Sequence, residues 1–280
     1  MLVDAQPRDV LVRAGELRVH YLDWGGEGPP VMLIHSAYST AHVWDLFAPT
    51  MVDSFRVLAP DLRGYGQTDK PPTGYSAREL AEDLYAFSRA LELEPFHLVG
   101  HSVGTRLGCQ FAARHPELLR SLVLVDCTGF RALSQQEPNR RAIEQLHLAF
   151  ATREEAAAYL RTTHKKNFWS DAVVQQRIEQ EMDHLPGGGV AWQYSREVLH
   201  AVNQAHDDDV LPEVGQVRCP TLLLRGSESP NLGREEAQRL QAMIAGSELV
   251  EIGPAAHYLH LDQPEQFARV TRDFLLRHRP

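Results

Sequence analysis

The apolar positions alternate between two kinds of run along most of the chain. Asp9–Val12 and Leu17–Leu22 are short extended segments separated by Ala14-Gly15, which predicts an antiparallel hairpin. After a turn rich in Gly and Pro (Gly25, Gly26, Gly28, Pro29, Pro30), Val31-Met32-Leu33-Ile34 is a continuous apolar run, the mark of a strand buried on both faces. A helix is expected around Ala41–Met51, then a strand over Phe55–Ala59 that ends at Pro60-Asp61. Ser76-Ala77-Arg78-Glu79 is a capping box, and Leu80, Leu84, Phe87 and Leu91 continue it at helical spacing. Strand Phe96–Val99, helix Ser102–His115 and strand Leu122–Val125 follow. Strands that alternate with helices imply parallel βαβ units and an α/β fold with a doubly wound, mostly parallel sheet.

From about Phe130 to Gly215 the alternation stops. Strand-like runs give way to helical stretches rich in Glu, Gln, Arg and Ala, broken by Pro186-Gly187-Gly188-Gly189. Strand Thr221–Leu224, helix Arg234–Ala245, strand Leu249–Ile252 and helix Pro264–Arg277 then resume the pattern. The expected organisation is an α/β core over 1–129 and 216–280, interrupted by an all-helical insertion over 130–215.

Composition adds little beyond exclusions. With 280 residues, 43% hydrophobic and 23% charged, the chain has an ordinary globular make-up and ample length for a large core. A net charge of −9 argues against nucleic acid or an anionic membrane as partner. Asp207-Asp208-Asp209 reads as an exposed loop. No apolar run is long enough to span a bilayer, and Met1–Arg8 lacks the apolar stretch of a signal peptide. Cys109, Cys127 and Cys219 are an odd set in apolar surroundings, read as free buried thiols. The expected address is the cytoplasm, the expected partner a small-molecule substrate, and a homodimer is compatible with all of this.

The chemistry begins where strand Phe96–Val99 runs into Gly100-His101-Ser102-Val103-Gly104 and a helix. This is G-x-S-x-G in a strand–turn–helix setting, which presents Ser102 as a nucleophile on a tight elbow at a helix N-terminus. A serine hydroxyl needs an adjacent base. His257, in Gly253-Pro254-Ala255-Ala256-His257-Tyr258, follows the last strand at the carboxyl edge of the sheet, where sites of open α/β sheets form. His260 forms a His-x-x-His pair with His257, and the Asp262 that follows could suggest a metal site, but no further ligand stands at zinc-like spacing, so His260 reads as packing or capping near the helix start. His97 and His101 read as packing residues beside the elbow.

These motifs resemble the α/β-hydrolase superfamily over nearly the whole chain. Ala59-Pro60-Asp61-Leu62-Arg63-Gly64-Tyr65-Gly66 is similar to its turn after the fourth strand, Ile34-His35-Ser36-Ala37 to its oxyanion loop, Gly253–Pro264 to its histidine loop, and the insertion to its cap domain. The resemblance implies backbone oxyanion donors at Ala37 and Val103, with Ser36 where the family usually has Gly. It also implies an acid in a Gly-x-x-Asp turn after strand Thr221–Arg225, but here that turn reads Gly226-Ser227-Glu228-Ser229-Pro230. Asp126, ending the strand after the nucleophile helix, resembles a minority arrangement with the acid after the sixth strand. The order of candidates is Asp126, Glu228, then no acid.

The implied activity is a serine hydrolase, without metal or organic cofactor, acting on a small or medium, largely apolar carboxylic ester or lactone. Ser36, Tyr38, Trp44, Phe168, Trp169 and Trp192 are candidates to line its pocket. The alternatives are a carbon–carbon bond hydrolase of vinylogous diketones, a cofactor-independent dioxygenase, and a non-catalytic ligand receptor on the same scaffold.

Overall fold

A computed structural model describes residues 6–93, 95–126, 136–163, 168–204 and 211–279. Cys127 and the Asp207–Asp209 triplet lie outside the described residues, as does the start of the insertion at Phe130. Cys109 is buried and Cys219 partly buried. No helix among the described residues is long and apolar enough to cross a membrane.

The opening hairpin is β1 (Arg8–Ala14) and β2 (Leu17–Gly25), followed by β3 (Pro30–Ile34) and β4 (Arg56–Pro60). Helix α1 (Ala77–Ala90) carries the expected capping box: Ser76 Oγ accepts from Glu79 N at 3.2 Å, and Glu79 Oε2 accepts from Ser76 N at 3.0 Å. Strand β5 (Phe96–His101), helix α2 (Val103–Arg114) and β6 (Leu119–Val125) complete the first half. Within the insertion come α3 (Gln136–Glu144), β7 (Ala149–Phe150), α4 (Arg153–Thr163), α5 (Asp171–Gln180), β8 (Met182–His184), β9 (Val190–Trp192), α6 (Arg196–Gln204) and α7 (Leu211–Val214). The chain closes with β10 (Thr221–Gly226), α8 (Arg234–Met243), β11 (Glu248–Ile252), α9 (Leu259–Asp262) and α10 (Pro264–Arg277).

Eight strands form one sheet in the order β1-β2-β4-β3-β5-β6-β10-β11, antiparallel at β1/β2 and β2/β4 and parallel from β4 onward. Successive residues serve opposite faces, as the two-residue period of a strand requires. Met32, Ile34, Leu98, Leu122, Leu124 and Leu223 enter one core, and Val31, Leu33, Val99, Val123, Val125, Leu222 and Leu224 enter the other. Both faces are covered, which is why these strands read as continuous apolar runs.

Two expectations need correction. The segment around Ala41–Met51 is not one helix but two 3₁₀ turns, Ala41–Trp44 and Ala48–Thr50. Pro49 cannot donate within a helix, so it stands in the opening positions of the second turn, where no donor is needed, instead of continuing the first. The insertion is not all-helical either, since β7, β9 and β8 form a three-stranded antiparallel sheet. Its strands are two or three residues long, too short for periodicity to register. Pro186–Gly189 is the turn between β8 and β9: Leu185 N donates to Gly189 O at 2.7 Å, and Gly187 and Gly188 take φ of 86° and 93°.

Candidate functional site

The register of the parallel strands brings the distant segments together. Ile34 pairs with Gly100, His101 with Val125, Leu224 with Val125, and Gly226 with Ile252. The loops holding Ala37, Ser102, Asp126, Ser229 and His257 therefore leave the sheet side by side at its carboxyl edge.

Ser102 caps α2 with φ 56° and ψ −112°, a strained conformation for a residue with a side chain, and is 8% exposed. The elbow has no room for larger neighbours. A Cβ on Gly100 would lie 2.2 Å from the Gly104 carbonyl oxygen, and one on Gly104 would lie 2.8 Å from that of Ile34. Ser102 N donates to Val125 O at 3.0 Å, and Thr105 Oγ1 donates back to Ser102 O at 2.5 Å.

Asp126 lies fully buried one residue beyond β6, also in the left-handed region at φ 48°. Its backbone is held by the bond from Asp126 N to Leu224 O at 2.8 Å. Three donors surround its carboxylate: His257 Nδ1 at 2.6 Å from Oδ2, Ser229 Oγ at 2.6 Å from the same oxygen, and Gly226 N at 3.2 Å from Oδ1. Glu228 is exposed, and only its backbone N–H engages the histidine loop, at Ala255 O, 2.8 Å away. The turn after β10, where a carboxylate is usual, supplies here the Ser229 hydroxyl that braces Asp126.

The histidine loop is anchored from both sides. Asp262 Oδ2 accepts from Ala256 N at 2.7 Å, and His101 Nε2 donates to the His257 carbonyl at 2.9 Å. His101 thus supports the main chain that carries His257, beyond the packing role expected for it. His97 bonds Ser121 Oγ at 2.8 Å. His260 is buried against Trp44 with ring centroids 4.6 Å apart, and neither ring nitrogen has a hydrogen-bond partner among the described residues. Burial, then the neighbouring histidines, hold His101 and His260 well below the usual imidazole range, so both rings are neutral. Burial pushes the Asp262 carboxyl up to about 6, against the lowering pull of its bonds from Ala256 N and Phe168 N.

The loop after β3 is equally fixed. His35 Nε2 accepts from Leu62 N at 2.9 Å while its Nδ1 donates to Ser36 O at 2.7 Å, and Asp61 Oδ1 accepts from Ala41 N at 2.8 Å. Ser36 is buried, with its hydroxyl 3.0 Å from Ser39 Oγ and 3.3 Å from Tyr258 OH. Ala37 sits in this loop and Val103 opens α2, the two segments running next to each other from the Ile34–Gly100 pair.

The remaining pocket candidates separate. Trp44, expected in the pocket, is fully buried in the second core between Phe47, His260 and Phe267, a packing position. Phe168 is 41% exposed, and its N–H donates to Asp262 Oδ1 at 3.1 Å. Trp169 meets Tyr258 edge-on at 5.4 Å, and Trp192 stacks on Tyr194 at 5.5 Å. Tyr38 is half-buried at the rim of the first core. Trp169, Trp192 and Tyr258 all face the Arg177 guanidinium, at 4.9, 5.1 and 5.2 Å from their ring centroids. Arg177 and its partner Glu181 escaped the sequence reading. Their signal was a charge on the apolar stripe of α5: Val173, Val174, Arg177 and Ile178 are all buried.

Across these elements the insertion meets loops at the carboxyl ends of β3, β4 and β11. Gln176 reaches His42 O at 2.9 Å, Gln193 O accepts from Lys70 Nζ at 3.1 Å, and Phe168 N reaches Asp262.

Comparison with known proteins agrees with this architecture. The family model described as alpha/beta hydrolase fold matches residues 29–264. The 2-(acetamidomethylene)succinate hydrolase of Mesorhizobium japonicum is 30% identical over 254 residues, covering 89% of each chain. The N-formylmaleamate deformylase of Pseudomonas putida is 27% identical, over 94% of this chain and 95% of its own. A crystal structure of E-2-(acetamidomethylene)succinate hydrolase superposes with a TM-score of 0.88 at 25% identity, over 96% of this chain and 99% of its own.

Proposed function

The chain belongs to the α/β-hydrolase family, and from that premise we propose that it is a serine hydrolase working through an acyl-enzyme on Ser102. The observation that carries the reading is the 2.6 Å bond between His257 Nδ1 and Asp126 Oδ2, on a histidine whose backbone is held beside the Ser102 elbow. A carboxylate on Nδ1 keeps the proton on that nitrogen and leaves Nε2 free to act as base. His257 takes the Ser102 proton as Oγ attacks the carbonyl carbon. The amides of Ala37 and Val103 hold the oxyanion, the latter at the positive end of α2. The imidazolium returns its proton to the leaving group, and water, activated by the same base, releases the acid. The insertion acts as the cap, with Trp169 and Trp192 on its inner side.

The proposed substrate is a small or medium, largely apolar carboxylic ester or lactone. A second reading has a specific support: both named relatives carry a short acyl group on nitrogen in their names, acetamido in one and N-formyl in the other. The same steps then cleave a C–N bond, with His257 protonating the nitrogen. Displacement at a carbon–halogen bond fits poorly, because attack by a serine hydroxyl would leave an ether that water does not cleave.

Turnover of p-nitrophenyl acetate, a short lactone and an N-acetyl enamide, each with wild type and Ser102→Ala, tests the proposal. Hydrolysis of at least one that disappears in the variant supports it. Oxygen uptake with a heteroaromatic substrate in place of any hydrolysis would replace it with the dioxygenase alternative.

A further inference from the structure

One ion pair in the insertion is out of place for a surface helix. The side chain of Arg177 is 1% exposed and that of Glu181 0%. The two form a fork, Nε to Oε1 at 2.6 Å and Nη2 to Oε2 at 2.9 Å. A buried pair of this kind is weak support for stability, since its desolvation offsets most of its attraction, and apolar residues of similar volume often replace it without loss. Its contacts suggest another reason for its presence. Arg177 Nη2 also donates to Tyr38 O at 2.8 Å, and Glu181 Oε2 accepts from Thr40 N at 3.3 Å. The guanidinium lies over Tyr258, whose hydroxyl is 3.3 Å from Ser36 Oγ. The pair therefore touches the loop after β3 at Tyr38 and Thr40, reaches Ser36 through Tyr258, and rests on the residue that follows His257.

The geometry points to Arg177 and Glu181 as positioning residues for the oxyanion donor: from the insertion they fix the peptides on the C-terminal side of Ala37, so that its amide is presented to the substrate oxygen in one orientation. The assignment rests on the serine-hydrolase reading above. Arginine suits the task because its planar fork binds the carboxylate and a carbonyl together while its face lies on aromatic rings, which a lysine cannot reproduce. A role as receptor for a substrate carboxylate fits less well. Both oxygens of Glu181 already occupy the fork, and Trp169, Trp192 and Tyr258 surround it.

The test uses the rate at which a fluorophosphonate labels Ser102, because the phosphoryl oxygen takes up charge at the same donors, together with p-nitrophenyl ester kinetics. Arg177→Met/Glu181→Leu removes the pair without leaving a buried charge, and Arg177→Lys keeps the charge but loses the fork. In the double variant the maximal labelling rate and kcat should fall about 10²-fold, the scale of one lost oxyanion donor. The half-saturating probe concentration and KM should move little. Arg177→Lys should fall between the double variant and wild type. In both variants amide exchange should rise in the peptide covering 36–40, measured without substrate. A double variant that melts with wild type and labels at the wild-type rate overturns the assignment. If the double variant does not fold, wild-type labelling and exchange in Arg177→Lys overturn it equally. Wild type that takes no label at all defeats the hydrolase reading itself, whereas a labelled wild type matched by both variants defeats only the positioning.

Discussion

Replacing Asp126 by asparagine changes one heavy atom of the proposed acid and separates the two candidate carboxylates. The carboxylate is wholly buried and accepts from three donors, two of them at Oδ2. An amide can be placed there in two ways. With its NH₂ at the Oδ1 position it faces the Gly226 N–H, donor against donor in a dry site. With its NH₂ at the Oδ2 position it donates to His257 Nδ1, and the Ser229 hydroxyl can rotate to accept. The second arrangement leaves fewer groups unpaired, and it forces the imidazole proton onto Nε2, the nitrogen that the proposed mechanism needs as base. The structure survives and the tautomer is wrong. In a serine protease the equivalent change costs about 10⁴-fold in kcat, which at about 1.36 kcal/mol per factor of ten is about 5 kcal/mol of transition-state stabilisation. Glu228→Gln alters an exposed side chain and leaves the backbone bond from Glu228 N to Ala255 O in place. Surface changes of that kind stay within about 0.5 kcal/mol, or about twofold in rate. The assay is kcat/KM on an activated ester beside a melting curve for each variant. Asp126→Asn retaining more than about a tenth of the activity, or a greater loss in Glu228→Gln, would refute the assignment of the acid.

Two further outcomes follow from packing and protonation. Trp44→Ala should lower stability by about 3–5 kcal/mol, as truncation of a large core aromatic does, seen in the denaturant midpoint; a raised KM in folded protein with stability unchanged would return Trp44 to the pocket. Asp262 sits among its neighbours with its carboxyl raised from 3.8 to about 6 by burial. The folded protein therefore keeps a proton that the unfolded chain has lost, and the stability contributed by this group falls as pH rises from 3.8 to about 6 and is constant above that range. The melting temperature of wild type minus that of Asp262→Asn should decline across that interval; a difference that does not vary with pH would contradict it.

Much of this site is readable along the chain because steric demands are local. The Ser102 elbow leaves no space at Gly100 or Gly104, so the requirement is written into five consecutive residues. The strands are legible because both faces are buried, and α1 because its capping box and apolar stripe agree. The nearness of Asp126 to the histidine loop was legible from its place at the end of β6, since parallel pairing sets strand ends next to each other. What escaped depends on contacts between segments far apart in sequence. Ser229 braces Asp126 across 103 positions, and Arg177 binds the Tyr38 carbonyl across 139. Trp44 is close to the oxyanion loop in sequence, yet its ring turns to the other core, a choice made by Phe267 and His260 more than 200 positions later. The short strands of the insertion and the break at Pro49 fall below the length at which a periodic pattern can be recognised.

The proposed mechanism stands or falls on Ser102 as the nucleophile, activated by His257. Its most direct test is covalent: the protein is incubated with a fluorophosphonate, digested, and the modified peptide sequenced by mass spectrometry. One phosphonyl group per chain is expected, placed on Ser102, formed slowly or not at all in His257→Gln and absent from Ser102→Ala. An adduct on another residue, or wild-type protein that stays unmodified while correctly folded, would contradict it.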